Sequence, residues 1–397
     1  MKTTISVPGE FHAPELAAGL NQREALRSYY TSLPKRFVSG KVPKTKIESL
    51  WLAEIFGQVS HRVPQVETAL PLRNWNRPLF RTKQRLFDWM VARSLPPAQE
   101  NEILVGFSGS MLKSIESGKE KGYITVVERA SAHIREQQKI LDRVYNNHET
   151  DRAPPISDNF ARVEEKEYRK SDYIVVPSRF VRDSFEKHGV KSDKIITIPL
   201  GVSIDGPTNQ TKQKRRPERV KKVVGDSPYV VFIGGARLRK GTHHLIKAWE
   251  NAEIESHDLV IIGTVEDILR QELEKTGEDV HVLGWEDRID IWYANADLFA
   301  FPSLEDGFGR VVLESLSYGT PVITTENTGA KDCIREGKDG LVIPAGCVDS
   351  LSSSIKLGIS KEWDRRDIID HVSSNYSWEA YNERVASEYQ GMVKEME

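Results

Sequence analysis

Short apolar runs alternate with longer amphipathic runs along most of the chain. The short runs are rich in valine, isoleucine, tyrosine and phenylalanine, which favour strands, and the longer runs have the apolar spacing of helices. The predicted strands of the first half are 3–7, 26–32, 103–109, 123–129, 172–178 and 194–202. Those of the second half are 229–235, 257–263, 280–284, 297–303, 320–325 and 340–345. This alternation predicts an α/β protein with parallel sheets.

Two helical runs are predicted with particular clarity. In the run at 178–189, the Ser178 hydroxyl suits the start of a helix and Gly189 suits its end. The run at 378–396 consists of good helix formers. The strands of the second half are apolar at successive positions, which is typical of strands that are covered on both faces of a parallel sheet.

A polar break separates the two halves. Residues 206–226 carry many lysines and arginines and no apolar period, so they predict a linker or exposed loop. A chain of 397 residues is long enough for two domains. We expect an N-terminal domain at 1–205, a C-terminal domain at 227–375, and a helix at 376–397 that packs back toward the N-terminal domain. Because ligands of parallel sheets bind beyond the carboxyl ends of the strands, a cleft between the domains is the expected site.

Composition and missing motifs exclude several classes of protein. The two cysteines, Cys333 and Cys347, cannot build a disulfide framework, and this suits a reducing cytoplasm. No apolar run approaches the roughly 20 residues that span a bilayer, and the first residues lack the apolar stretch of a signal peptide. The sequence contains no P-loop, His-Glu-x-x-His, Cys-x-x-Cys or Asp-x-Asp motif. We therefore expect a cytoplasmic protein that requires no metal.

Charge is unevenly distributed, although the formal net charge is only −2. Residues 1–200 carry about +8 and the remainder about −10. A basic half suits anionic partners such as a phosphate-bearing ligand or a lipid surface, and it equally fits an ordinary scatter of surface charge. The basic linker lacks interleaved aromatic residues, so we expect a solvated spacer and no nucleic-acid partner.

The segment PSLEDGFGRVVLESL at 302–316 bends through two glycines and then predicts a helix. Gly307 and Gly309 allow a ligand to approach the backbone, and the free N–H groups of a helix start suit phosphate. Asp306 and Glu314 are about two helical turns apart and lean toward the same end, so both can reach one ligand. A sugar joined to a nucleoside diphosphate fits this arrangement. A capping Asp306 with a solvent-facing Glu314 fits it as well.

A second loop, within FIGGARLRKGTHHLIKAW at 232–249, follows a predicted strand and is rich in cations. Gly235 is followed by Arg237, Arg239 and Lys240, whose charges suit a diphosphate. The alternative is a solvated basic turn.

Two further loops follow predicted strands of the first half. His133 opens a helix, where both a catalytic and a structural histidine are consistent with the sequence. Gly9 follows the first strand, where a ligand can approach the backbone closely.

Taken together, these segments resemble a retaining glycosyltransferase of family 4, which has the GT-B fold of two Rossmann-like parallel-sheet domains facing across a cleft. Residues 301–332 resemble the Glu-x7-Glu region of that family, and 232–249 resembles its phosphate-binding loop. The other segments that resemble the family are 11–20, 128–134 and 171–202.

The resemblance implies roles at the matching positions. Asp306 would contact the donor sugar, Glu314 would hold the nucleotide ribose, Lys240 would bind the diphosphate, and His133 would lie near the transferred sugar. The expected catalytic residues are His133, Asp306 and Lys240. The expected donor-binding residues are Gly9, Gly235, Arg237, Arg239, Lys240, Glu305, Asp306, Gly307, Phe308, Gly309 and Glu314.

The sequence departs from the family pattern at two positions. Asp306 stands where glutamate is usual, and Glu305 beside it is a competing candidate for the sugar contact. Gly235 stands where arginine is frequent, so Arg237 or Arg239 would have to supply the second positive charge.

The resemblance implies a hexosyltransferase-like enzyme of glycan, polysaccharide or glycolipid biosynthesis. It would move a sugar from a nucleoside-diphosphate sugar to a hydroxyl acceptor, with retention of configuration and without a further cofactor. A sugar phosphorylase, a nucleotide-sugar epimerase and a non-catalytic sugar-nucleotide-binding protein are the alternatives on the same scaffold.

Residues 35–100 match no pattern that assigns them a role. They contain three tryptophans and a basic cluster: Trp51, Trp75, Trp89, Lys35, Arg36, Lys41, Lys44 and Lys46. One hypothesis is a peripheral contact with an anionic membrane that carries a lipid-linked acceptor. The alternative is a helix-bearing insertion that packs on the domain and shapes the cleft.

Overall fold

The strands of the protein form two parallel sheets in a computed structural model that describes residues 1–51, 78–148, 156–204 and 216–396. The first sheet has the order β3-β2-β1-β4-β5-β6-β7 and the second has the order β10-β9-β8-β11-β12-β13. The strands of the first sheet are β1 Lys2–Val7, β2 Leu26–Thr31, β3 Ile47–Ser49, β4 Glu102–Phe107, β5 Ile124–Glu128, β6 Tyr173–Val176 and β7 Ile195–Thr197. Those of the second are β8 Tyr229–Ile233, β9 Asp258–Ile262, β10 Val280–Leu283, β11 Leu298–Phe301, β12 Val322–Thr325 and β13 Gly340–Ile343.

Helices connect and cover these strands. Those that precede the second sheet are α1 Ala13–Gln22, α2 Lys35–Val38, α3 Pro78–Ser94, α4 Leu112–Glu120, α5 Ile134–Asn146, α6 Asp158–Lys170, α7 Arg179–Lys187 and α8 Glu218–Val224. The others are α9 Thr242–Ala252, α10 Asp267–Leu273, α11 Ile289–Asn295, α12 Arg310–Ser317, α13 Val348–Ser360, α14 Arg365–Tyr376 and α15 Trp378–Met396.

The predicted strands are all present, and their pairing is parallel as expected. Most end earlier than predicted, above all β7, which has three residues where 194–202 was predicted, whereas β1 begins one residue earlier than predicted. Strand β8 is buried along its whole length, as its run of apolar residues predicted. The sequence did not predict β3, a three-residue strand at the edge of the first sheet. Helix α7 begins where expected, because the Ser178 hydroxyl accepts a hydrogen bond from the Val181 N–H at 3.3 Å.

The predicted linker at 206–226 is partly wrong. Its residues 206–215, together with the predicted boundary at residue 205, lie outside the described residues. The remainder contains helix α8, in which Val220 and Val224 are buried. Two valines four positions apart lie on one helix face, and this short apolar face packs into the core of the protein.

Helix α15 lies on the N-terminal half of the molecule. The Tyr381 ring meets the His12 ring edge to face at 5.9 Å, and the Tyr389 hydroxyl donates to Glu128 at 3.4 Å. The Tyr173 hydroxyl donates to Glu395 at 3.0 Å. The last helix of the chain therefore returns to the first sheet after the second sheet is complete.

Candidate functional site

A cavity of about 520 Å³ opens at the carboxyl ends of three neighbouring strands, β8, β9 and β10. Isoleucines supply its apolar wall, the loop after β8 supplies three cations, and the loop after β10 supplies a tryptophan and two acids. The lining residues that matter here are Ile233, Ile262, Ile289, Gly235, Arg237, Arg239, Lys240, Trp285, Glu286 and Asp287. Four predicted donor-binding residues, Gly235, Arg237, Arg239 and Lys240, thus share one cavity.

Close backbone packing joins the loop after β8 to the loop after β11. The Leu304 N–H donates to the Arg239 carbonyl at 2.9 Å. Gly241 has φ +70, and a Cβ at this position would lie 2.0 Å from the Pro302 carbonyl oxygen. Only glycine tolerates both conditions, so Gly241 lets the cation loop approach the segment that carries Asp306.

The two loops pair their charges. The Lys240 ammonium forms an ion pair with Asp306, and Arg239 forms one with Glu305 at 3.0 Å. Burial alone would raise the pKa of the Asp306 carboxyl, but Lys240 and Arg239 hold the pKa below its usual value. The carboxylate is therefore ionised and neutralises Lys240 in the absence of another anion.

Glu305 has a different role from the sugar contact that the sequence allowed. Its side chain has 0% exposure, and its carboxylate accepts from the Ala132 N–H at 3.1 Å and from the Gln137 side chain at 3.0 Å. Both partners belong to the N-terminal half, whereas Arg239 belongs to the C-terminal half. Glu305 thus joins the two halves beside the cation loop, and it is Asp306 that remains next to Lys240.

The neighbourhood of Gly307 also differs from the expectation. The Ser178 hydroxyl donates to the Gly307 carbonyl at 2.7 Å, and a Cβ on Gly307 would lie 2.1 Å from the Ala130 carbonyl oxygen. The close approach that this glycine permits in the structure is with the backbone of the N-terminal half, and its contact with a ligand stays a prediction. Gly307 is required for the contact between the halves.

The remaining residues of this turn start helix α12. Gly309 has φ +78 and occupies the cap position of the helix, and Phe308 is buried. The Phe308 N–H donates to Asp306 at 3.3 Å. Asp306 therefore holds the turn before α12 through the Phe308 N–H and forms the ion pair with Lys240, but no side chain caps the helix itself.

Glu314 lies on the second turn of α12. Its carboxylate accepts from the Tyr293 hydroxyl at 3.4 Å and lies 3.6 Å from the Arg310 guanidinium. Burial raises the pKa of Glu314. Among the described residues, the lining of the cavity does not include Glu314, so the ribose contact stays a prediction.

The ring of His133 is placed away from this site. It stacks on His188 at 4.4 Å and meets Phe185 and Tyr168, all in the N-terminal half. Burial, followed by the charge of His188, lowers the pKa of His133 to about 3. The ring borders a separate cavity of about 750 Å³ between the N-terminal half and the end of α15. The His133 side chain caps α5, because its Nδ1 accepts a hydrogen bond from the Arg135 N–H at 3.3 Å, and its ring packs in an aromatic cluster. A contact of His133 with the transferred sugar stays a prediction.

Gly9 lies in the loop after β1, where Phe11 is exposed and stacks on Phe107 at 5.1 Å. Neither Gly9 nor this loop belongs to the lining of the cavity in the described part of the chain. A donor-binding role for Gly9 therefore has no support from its position.

Sequence reasoning missed the loop after β10. Trp285, Glu286 and Asp287 directly follow a predicted strand, and β10 lies beside β9 at the edge of the second sheet. The rule that ligands bind at the carboxyl ends of parallel strands applies to this loop as it does to the cation loop. The position of residues 285–287 after a predicted strand could have identified them as candidates, but these residues match no known motif.

Neither a metal-binding cluster nor a membrane-spanning helix is found among the described residues. They contain no group of three or more histidine, cysteine, aspartate or glutamate side chains that could hold a metal ion. In the same ranges, no helix combines the length and the apolar character that crossing a membrane requires.

The fold places the protein in a known structural class. Sucrose-phosphate synthase of Thermosynechococcus elongatus has a similar structure, with a TM-score of 0.68 and 17% identity, over 99% of this chain and 100% of that one. Anabaena HepE in complex with UDP is also similar, with a TM-score of 0.66 and 14% identity over 98% and 100%. At these identities the likeness concerns the fold, which is the GT-B fold.

Comparisons of sequence give the family. The profile described as Glycosyl transferases group 1 matches residues 213–373, and the profile described as Glycosyltransferase Family 4 matches residues 129–205. The two matches together cover the second sheet and the later strands of the first. The chain belongs to the group 1, family 4 glycosyltransferases.

Curated relatives agree with this assignment. The capsular polysaccharide biosynthesis glycosyltransferase CapM of Staphylococcus aureus is 26% identical over 244 residues, which are 57% of this chain and 63% of CapM. A D-inositol 3-phosphate glycosyltransferase of Xylanimonas cellulosilytica is 29% identical over 199 residues, which are 45% of this chain and 46% of the relative. The chain thus spans less than two thirds of the length of these relatives.

Proposed function

We propose that the protein is a retaining, hexosyltransferase-like glycosyltransferase that uses a nucleoside-diphosphate sugar as donor. The observation that carries this proposal is the cavity at the carboxyl ends of β8 to β10, where Arg237, Arg239 and Lys240 converge. A concentrated group of cations at a strand-end cavity suits a diphosphate. HepE, which shares the fold, was solved with UDP and with UDP-glucose. The names of several relatives refer to polysaccharide or lipopolysaccharide synthesis, which we propose as the setting of this chain too.

The ion pairs suggest how the donor is received. We infer that the diphosphate replaces Asp306 as the partner of Lys240, because a dianion attracts the ammonium more strongly than one carboxylate does. The released Asp306 carboxylate can then accept hydrogen bonds from sugar hydroxyls. Arg239 stays held by Glu305, so that its remaining N–H groups can bind a phosphate.

The reaction breaks the bond between the anomeric carbon and the β-phosphate oxygen and forms a bond from that carbon to the acceptor oxygen. Negative charge develops on the leaving diphosphate, where Lys240 and Arg239 stabilise it. In the retaining course that the family resemblance implies, the leaving phosphate takes the acceptor proton and the acceptor attacks the face that the leaving group occupied.

Incubation of the protein with a panel of nucleotide sugars and candidate acceptors tests this proposal. We expect nucleoside diphosphate to be released with one donor in an acceptor-dependent manner, and the NMR spectrum of the product to show the anomeric configuration of the donor. Release of sugar 1-phosphate in the presence of inorganic phosphate would favour a phosphorylase, and interconversion of the donor sugar would favour an epimerase. Tight donor binding without turnover would favour a non-catalytic protein.

We also propose a peripheral contact with an anionic membrane through the segment around β3. Phe37 and Trp51 are 58% and 53% exposed, and the Arg36 guanidinium lies 5.0 Å from the centre of the Phe37 ring. Exposed aromatic rings beside basic groups suit the interface of an anionic bilayer. Trp75, which the sequence also offered for this contact, lies outside the described residues.

Vesicle sedimentation tests the membrane contact. We expect the protein to sediment with vesicles that contain anionic lipid at low salt, and a Phe37→Ser, Trp51→Ser variant to remain in the supernatant. Vesicles of zwitterionic lipid alone are the control. Failure of the wild type to sediment with anionic vesicles would remove the proposal.

A further inference from the structure

The part of the cavity beside β10 is lined by an exposed tryptophan, Trp285, which binding of phosphate at the cation loop does not involve. Trp285 is 77% exposed, although it lines a cavity with an apolar wall. Its indole N–H donates to Asp287 at 3.0 Å, which fixes the ring at the rim. An exposed, oriented indole provides a flat surface on which a planar heterocycle can stack.

Glu286, the next residue, presents a carboxylate with an unused acceptor. One oxygen accepts from the Arg219 guanidinium at 2.7 Å, and the other is buried without a hydrogen-bond partner in the residues that the structure describes. The side chain is only 11% exposed. Because burial of an unpaired carboxylate oxygen costs free energy, a ligand that supplies a donor here would be bound more tightly.

The sheet order sets the distance between these residues and the phosphate cations. Strand β10 is two strands away from β8 in the second sheet. Neighbouring strands are about 4.8 Å apart, so the loops after β10 and β8 are separated by roughly 10 Å. This is the length scale over which a nucleoside separates its base from its diphosphate. A nucleotide with its phosphates at Lys240 therefore places its base beside Trp285 and Glu286.

The chemistry of Glu286 discriminates between bases. An ionised carboxylate only accepts hydrogen bonds. Guanine offers two adjacent donors on one edge, the N1–H and the N2 amino group. They match the two oxygens of Glu286, because the oxygen that accepts from Arg219 keeps a second lone pair. Uracil offers a single N–H, and the two carbonyl oxygens beside that N–H are repelled by a carboxylate. Adenine offers a single amino group, and the ring nitrogen beside it is an acceptor that a carboxylate cannot satisfy.

We propose that Glu286 selects a guanine nucleotide, and that the donor is a GDP-sugar. The inference rests on the proposed function, since it assumes that the cavity holds a nucleoside diphosphate. Arg219 orients Glu286 through one oxygen, and Trp285 stacks on the purine.

Titration calorimetry with GDP, UDP and ADP on the full chain tests this inference. For the wild type we expect GDP to bind at least about tenfold more tightly than UDP or ADP, the discrimination typical of a paired donor and acceptor edge. The Glu286→Gln variant should lose about tenfold in GDP affinity and keep its UDP affinity. Trp285→Ala should weaken the binding of GDP and of UDP to a similar extent, because an aromatic ring stacks on every base. Glu274→Gln, at an exposed acid outside the cavity, is the matched control and should leave all affinities unchanged.

The outcomes separate the two proposals. Tighter binding of UDP or ADP than of GDP by the wild type would overturn the guanine inference and leave the proposed function intact. A GDP preference that survives Glu286→Gln would overturn the role of Glu286. Absence of binding for all three nucleotides would overturn the proposed function itself. The ranking of the wild type needs no variant, so it remains decisive if Glu286→Gln unfolds.

Discussion

The Lys240→Ala variant is expected to turn over its donor at least about tenfold more slowly than the wild type, which corresponds to a barrier increase of about 1.4 kcal/mol. The substitution removes a cation from the position where the leaving diphosphate gains charge. It also leaves the Asp306 carboxylate without its ion-pair partner, so that a negative charge would face the phosphates. Initial rates at saturating donor measure the effect.

Two further variants separate the causes of this loss. Lys247→Ala removes an exposed lysine from α9, the helix that follows the cation loop, and should change turnover by less than about twofold. The double variant Lys240→Ala, Asp306→Asn should recover part of the donor affinity, because it removes the unpaired carboxylate. Wild-type turnover in Lys240→Ala would contradict the assignment of Lys240 to the diphosphate.

The Glu305→Ala variant is expected to be less stable than the wild type by about 3 kcal/mol, at the low end for a broken buried ion pair. Glu305 is fully buried, and its truncation leaves the Gln137 amide and the Ala132 N–H without their acceptor. Arg239 loses its carboxylate partner and keeps only its hydrogen bond to the carbonyl of residue 305. The low end is appropriate because the Arg239 side chain keeps 28% exposure and water can reach it. The midpoint of urea unfolding, followed by circular dichroism, measures the change.

A matched acid tests whether this loss depends on the contact between the halves. Glu326 is exposed, and Glu326→Ala should leave the midpoint within the range of ordinary surface substitutions. Glu305→Gln keeps the shape and one acceptor oxygen, so its midpoint should lie between those of the wild type and Glu305→Ala. Equal midpoints for Glu305→Ala and Glu326→Ala would show that the buried contacts of Glu305 do not stabilise the protein.

The strands and the chemistry of the cation loop could be predicted from the sequence because both depend on local patterns. Apolar runs such as 229–235 specify a buried strand by themselves. Arg237, Arg239 and Lys240 follow a strand end, and the edge of a parallel sheet at which they emerge is fixed by the direction of that strand. The approach of Lys240 to Asp306 follows from β8 and β11 being neighbours, and this strand order comes from the structure.

The contacts that the sequence did not predict are those whose partner is distant in the chain. The local sequence around Gly307 is the same whether the residue faces a ligand or the N-terminal half. The residue that it approaches, Ala130, lies 177 positions earlier in the chain. Glu305 and Asp306 are adjacent acids, and only the direction of each side chain sends one to Gln137 and the other to Lys240. His133 lies in a loop that reaches the site, but its ring turns toward His188. The local pattern of apolar and polar residues does not specify any of these side-chain directions or distant contacts.

Crystal structures of the protein, one with bound GDP and one with bound UDP, test the proposed donor site most directly. We predict phosphate oxygens within about 3.2 Å of the Lys240 ammonium, with Asp306 displaced from its ion pair and the base beside Trp285. A diphosphate bound elsewhere, for example in the larger cavity beside His133 and His188, with Lys240 still paired to Asp306, would contradict the proposed donor site.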